Sequence, residues 1–308
     1  MKPLLAKIGL AALVALGLFG CDETYTDDDY SSLSDAEALE ELFLDDADVE
    51  GPDVWRDDAD GLNAAELRAL DDPIEPLGWW RVGNRERTSV VVDFIDDDHA
   101  VITRTRSFNG DFRLLTELSE NEMETIDKPM YNILERQARA VRIADTPYPR
   151  RNWRIVAVTP EVMQSAAPNP NTVELLSVQA VGADGTLLAD ITDPLDTFFE
   201  RGDLPQVFAG EEITIFVEVA GAIPGPIGVL RPHVYGRGRM PRLPINDDGL
   251  APDEIAGDGV YTGSYRAGQR LGLHHVGVDF IDHETIYDDT APYNATGWGF
   301  PYAVIPAN

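Results

Sequence analysis

The chain contains a single cysteine, Cys21, among 308 residues. It can therefore close no internal disulfide, and it has no thiolate pair for a metal and no cysteine nucleophile beyond position 21. Histidine is almost as scarce, at five. Basic residues are few: 24 lysines and arginines stand against 55 acids, a formal charge of −31 that repels nucleic acid and removes it from the candidate partners. No apolar run approaches the ~20 residues that a helix needs to cross a ~30 Å hydrocarbon core. The Gly-x-Ser-x-Gly, His-Glu-x-x-His, Walker and dinucleotide-binding patterns do not occur, so hydrolase or nucleotide chemistry has no positive support and a non-enzymatic role is expected.

The N-terminus is the most informative stretch. Lys2 and Lys7 precede an uncharged apolar segment from Ile8 to Phe19, and Leu18-Phe19-Gly20-Cys21 follows. This is the three-part order of an export signal, too short for a permanent span. The last four residues resemble the lipobox of bacterial lipoproteins, with Phe19 where a small residue is usual. The resemblance implies cleavage after residue 20, lipid on Cys21 and an extracytoplasmic protein anchored to a lipid bilayer at the cell envelope. Asp22 resembles the inner-membrane retention signal of enteric bacteria, a rule that differs between lineages, so inner and outer membrane both stay open.

After the 1–20 signal, residues 21–33 are Asp-, Thr-, Tyr- and Ser-rich and read as a flexible tether. Ser34 with Glu37 forms a capping box ahead of Leu39, Leu42 and Phe43, predicting a helix that ends near Asp45. Asn63 and Glu66 suggest a second short helix, stopped by Pro73 and Pro76. From Trp79 to Pro160 the apolar pattern shortens to strand lengths: 88–95, 100–108, 112–118, 134–143 and 153–159. Asn109-Gly110 lies between two of these and is the strongest hairpin signal in the chain. The expected fold class is thus an α+β module over 34–165, short helices plus an antiparallel meander, whose order weakly resembles the NTF2-like superfamily.

Ala166 to Asn171 reads as a linker. Beyond it, candidate strands at 172–181, 212–219, 227–235, 259–265, 272–281 and 299–305 are separated by Gly, Pro and Asp clusters, which predicts an all-β immunoglobulin-like sandwich over 171–308. Within it, Asn246-Asp247-Asp248-Gly249, Asp253 and Ala256-Gly257-Asp258-Gly259-Val260-Tyr261-Thr262 resemble the DDG…AGDGVYT signature of bacterial extracellular Ig-like domains. The resemblance implies an exported sandwich and no particular activity.

Several groups of residues are candidates for binding. Asp247, Asp248, Asp253 and Asp258 fall within twelve residues, interrupted by glycines, and offer the oxygen ligands that Ca²⁺ prefers; the competing reading is a set of good turn formers. Asp46-Ala47-Asp48-Val49-Glu50-Gly51 matches the first half of a helix–loop–helix calcium loop, but Pro52, Asp53 and Asp57 break the second half. Of the 24 cations, 13 lie in residues 81–154 beside 13 acids, so this stretch is neutral within an acidic chain. Strand alternation puts Arg104 and Arg106 on one face, and Arg136 and Arg142 on one face of a neighbouring strand, where they could hold an anion. The competing reading is pairing with the plentiful carboxylates. Trp79, Trp80 and Trp153 are pocket or core candidates, and His275, Asp279 and His283 are candidate metal ligands. Two functions follow as expectations: a lipid-anchored envelope protein acting as an interaction or structural module with an envelope protein partner, or a binder of a small anionic or amphipathic ligand through the arginine-rich module.

Overall fold

A computed structural model describes residues 33–45, 55, 76–119, 122–220, 224–232 and 242–307. The signal, Cys21, most of the tether, the segment 46–51, the second expected helix and His233 lie outside the described residues. No helix among the described residues is long and apolar enough to cross a membrane.

The first helix, α1 (Asp35–Asp45), starts as its capping box requires. Ser34 donates from both its backbone N–H and its hydroxyl to Glu37 Oε2, each at 2.7 Å, and the Glu37 amide donates back to Ser34 Oγ. Ala38, Leu39 and Phe43 form its buried stripe.

Three long strands follow: β1 (Pro76–Phe94), β2 (His99–Ser119) and β3 (Glu122–Arg142). They pair antiparallel as a meander. At about 3.4 Å per residue each is some 65–70 Å of contour. The expected strands at 100–108 and 112–118 are one strand, and Asn109-Gly110 is not a turn: it lies mid-strand, Gly110 opposite Gly83 on one side and Met130 on the other. The reason is close approach. A Cβ on Gly110 would stand 1.8 Å from the Val82 carbonyl oxygen, and one on Gly83 would meet the Phe108 ring at 2.1 Å. A glycine inside a strand marks such a contact as readily as it marks a turn.

After the one-turn helix α2 (Pro149–Asn152), β4 (Trp153–Val158) and β5 (Glu161–Ser165) return along β3. The remaining elements are β6 (Leu175–Gly182), β7 (Leu187–Ile191), β8 (Phe199–Glu200), β9 (Gln206–Phe208), β10 (Glu212–Val219), β11 (Ile227–Pro232), β12 (Leu243–Ile245), β13 (Val260–Arg266), β14 (Gly272–Ile281), the short helix α3 (His283–Tyr287) and β15 (Ala295–Ile305).

The protein is β-rich, and apart from the parallel β9–β15 contact its strands pair antiparallel. One sheet runs β1-β2-β3-β5-β15-β14-β11-β12, with β4, β8 and β9 attached at its sides, and a second runs β13-β10-β6-β7. The two face each other across Val178, Ile191, Ile213, Ile215 and Val217 from one side and Leu230, Val276, Val278, Phe280 and Phe300 from the other. The larger sheet crosses the 166–171 segment, because β5 pairs with residues 296–299 of β15. That segment is held: Ala166 N–H donates to the Tyr131 carbonyl at 2.8 Å, and Asn169 bonds the backbone of Tyr131 and Pro129.

Even-numbered residues of β2 and β3 face inward along most of the meander. At one end Ala100, Ile102, Ala138 and Ala140 pack with Leu39, Phe43, Trp153 and Ile155. Toward the other, Phe108, Phe112, Leu114, Met130 and Leu134 pack with Trp79, Met163, Ile281 and Tyr293. Between these apolar layers the same inward register places Arg104, Arg106 and Arg136.

Candidate functional site

The inward arginines of β2 and β3 converge on one carboxylate, Glu161, at the start of β5. Arg104 Nη2 reaches Glu161 Oε1 at 2.8 Å, Arg106 Nη2 reaches the same oxygen at 3.1 Å, and the indole Nε1 of Trp55 donates to Oε2 at 2.9 Å. Arg106 also meets Glu86 at 3.3 Å, while Arg136 Nε donates to the Thr159 carbonyl at 3.0 Å. Arg104 lies 5.5 Å from the Phe43 ring of α1. Trp55 is seated on β15, where a Cβ at Gly297 would come within 2.6 Å of its ring. Burial pushes the Glu161 carboxyl up, but Arg106, Arg104, Arg136 and the Trp55 bond together outweigh it and hold the group below the usual carboxylate range.

A second node lies where the meander meets the sandwich. Asp279, on β14 in an otherwise apolar run, accepts both guanidinium nitrogens of Arg81, Nη1 to Oδ2 at 2.6 Å and Nη2 to Oδ1 at 2.8 Å. Arg231 Nε from β11 reaches Oδ2 at 2.7 Å. Arg81 Nε donates to the Tyr293 hydroxyl at 2.9 Å. All three charged side chains are buried, with Arg81 and Arg231 1% exposed and Asp279 fully enclosed. Trp79 lines the node, with Arg81 and Arg231 each 5.7 Å and Arg242 4.0 Å from its ring, and its carbonyl accepts from Arg242 Nη1. Burial pushes the Tyr293 phenol up, with Asp279 adding to that and Arg81 opposing it.

Arg104, Arg106 and Arg136 therefore lie together, with a carboxylate of the same chain bonded to the first two and near the third. An anion entering there would compete with Glu161. Arg142 is not part of the group: it pairs with Asp35 at the start of α1, donates to the Asp97 carbonyl at 2.8 Å and covers the Trp153 ring at 4.6 Å.

The acidic loop bonds its own backbone. Asp247 accepts the amides of Gly257 at 2.6 Å, Asp258 at 3.2 Å and Gly259 at 2.9 Å; Asp248 accepts Leu250, Asp253 accepts Gly249 and Asp258 accepts Val260. Gly249, Gly257 and Gly259 take positive φ, as the turns demand. Among the described residues no three His, Cys, Asp or Glu side chains are grouped to hold a metal ion. Of the histidine set, Asp279 is bound to arginines, His275 is buried in β14, and His283 stacks on Tyr287 at 4.5 Å. Trp79 and Trp153 are buried in the core. An apolar cavity of about 240 Å³ opens beside Val158, Leu204, Leu273 and Pro301, below the 300–1,000 Å³ typical of ligand pockets.

Reading the sequence missed Glu161, Arg81, Arg231 and Trp55, and placed Asp279 with the wrong partners. One signal was present: an acid inside Val276-Gly277-Val278-Asp279-Phe280-Ile281 requires a buried cation, since carboxylates are almost never fully enclosed without one.

No protein-family model matches this sequence, and no curated protein matches it. Among solved structures the chain is similar to one of extended synaptotagmin 2 that comprises its SMP domain and two C2 domains, at 8% identity over 87% of this chain and 95% of that one, with a TM-score of 0.15.

Proposed function

We propose that this chain is a non-enzymatic, lipid-anchored envelope protein whose β-rich body serves as a rigid interaction or structural module. The observation that carries the reading is the use of interior charge. Asp279 ties Arg81 and Arg231 together between β1, β11 and β14, and Glu161 ties Arg104 and Arg106 together between β2 and β5. Charges spent in this way fasten strands distant in sequence; they do not leave a nucleophile beside a base. On this reading the sheet pair built on β6, β10 and β13 is an immunoglobulin-like sandwich, and α1, packed through Leu39 and Phe43 on the meander, belongs to the α+β module expected from the sequence. The lipobox-like Leu18-Phe19-Gly20-Cys21 supports an extracytoplasmic address, and the charge of −31 supports a role away from nucleic acid.

The test is the fate of Cys21. Full-length wild-type and C21S chains are expressed in a bacterium, fractionated, and their N-terminal peptides weighed by mass spectrometry. A diacylglycerol-modified Cys21 in the membrane fraction, with C21S released from it, is expected; an unmodified cysteine in soluble protein overturns the anchor. A saturating pull-down from envelope extract that recovers no partner counts against the interaction role.

A further inference from the structure

The outer edge of β1 is paired with no strand among the described residues, and its two halves differ. The first half is closed off where Arg242 takes the Trp79 carbonyl. The second half, Glu86–Phe94, is open: Val91 is 55% and Phe94 46% exposed. Natural edges are usually guarded by proline, lysine, a bulge or a covering element. This stretch contains no proline, glycine or lysine, and its pairing with β2 runs from Arg85 to Phe94 without a register shift. Thr88, Val90, Val91 and Val92 make it strongly strand-forming.

The stretch Glu-Arg-Thr-Ser-Val-Val-Val-Asp-Phe is complementary to its own reverse. When two copies are laid antiparallel about a two-fold axis at Val90, Arg87 faces Asp93, Thr88 faces Val92 and Ser89 faces Val91, each pair occurring twice. Directly opposed residues in an antiparallel ladder share a face and come within about 5.5 Å between Cα atoms. Arg87 and Asp93 make no ion pair within the described residues of one chain, so both are available for this contact. A parallel arrangement would put Arg87 on Arg87. We infer that this edge pairs with the same edge of a second copy of the chain, forming a two-fold dimer with one sheet continuous through both subunits.

The test uses the full-length chain in a density-matched mild detergent, followed by sedimentation velocity. The series extends to about 0.1 mM, where even a contact with a Kd on the order of 10 µM is mostly assembled. The wild type is expected to dimerise. R87D and D93R each place like charges at two symmetry-related positions and are expected to weaken the dimer by about tenfold or more. An equimolar mixture of the R87D and D93R chains, and the R87D/D93R double variant, each restore opposite charges at both positions and are expected to recover the dimer. Unchanged melting curves separate these effects from loss of fold. A wild type that stays monomeric throughout the series overturns the inference, as does a dimer indifferent to the charge swaps or an edge that binds only a different protein.

Discussion

Arg81 and Asp279, 198 positions apart in the chain, meet as a bidentate pair with both nitrogen–oxygen distances below 3 Å. Asp279 also takes Arg231, so one carboxylate bridges two enclosed guanidinium groups. Removing its charge takes the shared acceptor from both. D279N is expected to cost about 3–5 kcal/mol, lowering the melting temperature by on the order of 10 °C by circular dichroism. Replacing Arg81, Arg231 and Asp279 together by Met or Leu is expected to regain most of that loss; a triple replacement no better than D279N would refute the account.

Glu161 gives a pH dependence of known sign. Its folded-state pKa lies below its ordinary value of 4.5, so its contribution is fully present above that value and fades as pH falls through the folded pKa. E161Q should be less stable at neutral pH and should lack this acid-side loss. Denaturant unfolding of both proteins between pH 6 and about 3 checks it.

Lys128 works in the opposite range. Its ammonium donates to the carbonyls of Thr285 and Asp288 at the end of α3, and burial pushes its pKa down to about 8, against the pull of Asp288, Asp289 and Asp282. Between about 8 and the ordinary 10.5 the unfolded chain binds more protons at this site than the folded one, so this residue makes stability rise with pH there. K128M should remove that rise.

The acidic loop is expected to be indifferent to calcium. At fixed ionic strength, chelator and excess Ca²⁺ should give the same melting temperature. D247A, which strips the acceptor from three backbone amides, should cost about 1–3 kcal/mol under both conditions. A calcium-dependent rise abolished by D253A and D258A would instead restore the metal reading of this loop.

Gly110 and Gly185 should respond differently to a single methyl group. G185A strains a positive φ in open space and should cost only about 1 kcal/mol, whereas G110A drives a Cβ into the Val82 carbonyl and should cost more than about 3 kcal/mol.

The strands of the C-terminal half were legible because their alternation is local and turns bound them: 212–219 and 272–281 coincide with β10 and β14. The meander was less so. The first half of β3 carries Glu124, Asp127, Lys128 and Pro129, too polar for a strand pattern, and its inward Lys128 is satisfied only by carbonyls 157 and 160 residues later. Asn109-Gly110 misled because the same dipeptide suits a turn and a crowded sheet interior. The shared face of Arg104 and Arg106 followed from parity, but their acceptor, Glu161, lies 57 and 55 residues away, and no local pattern joins them.

The pairing of β5 with β15 has a consequence for the order of assembly. Residues 161–164 must wait for residues 296–299 before their ladder closes. During synthesis from the N-terminus, the outer side of β5 therefore exposes an unfinished hydrogen-bonding margin until nearly the whole chain has emerged. A chain truncated before Ala295 keeps that margin open permanently, and should be sticky rather than simply shorter.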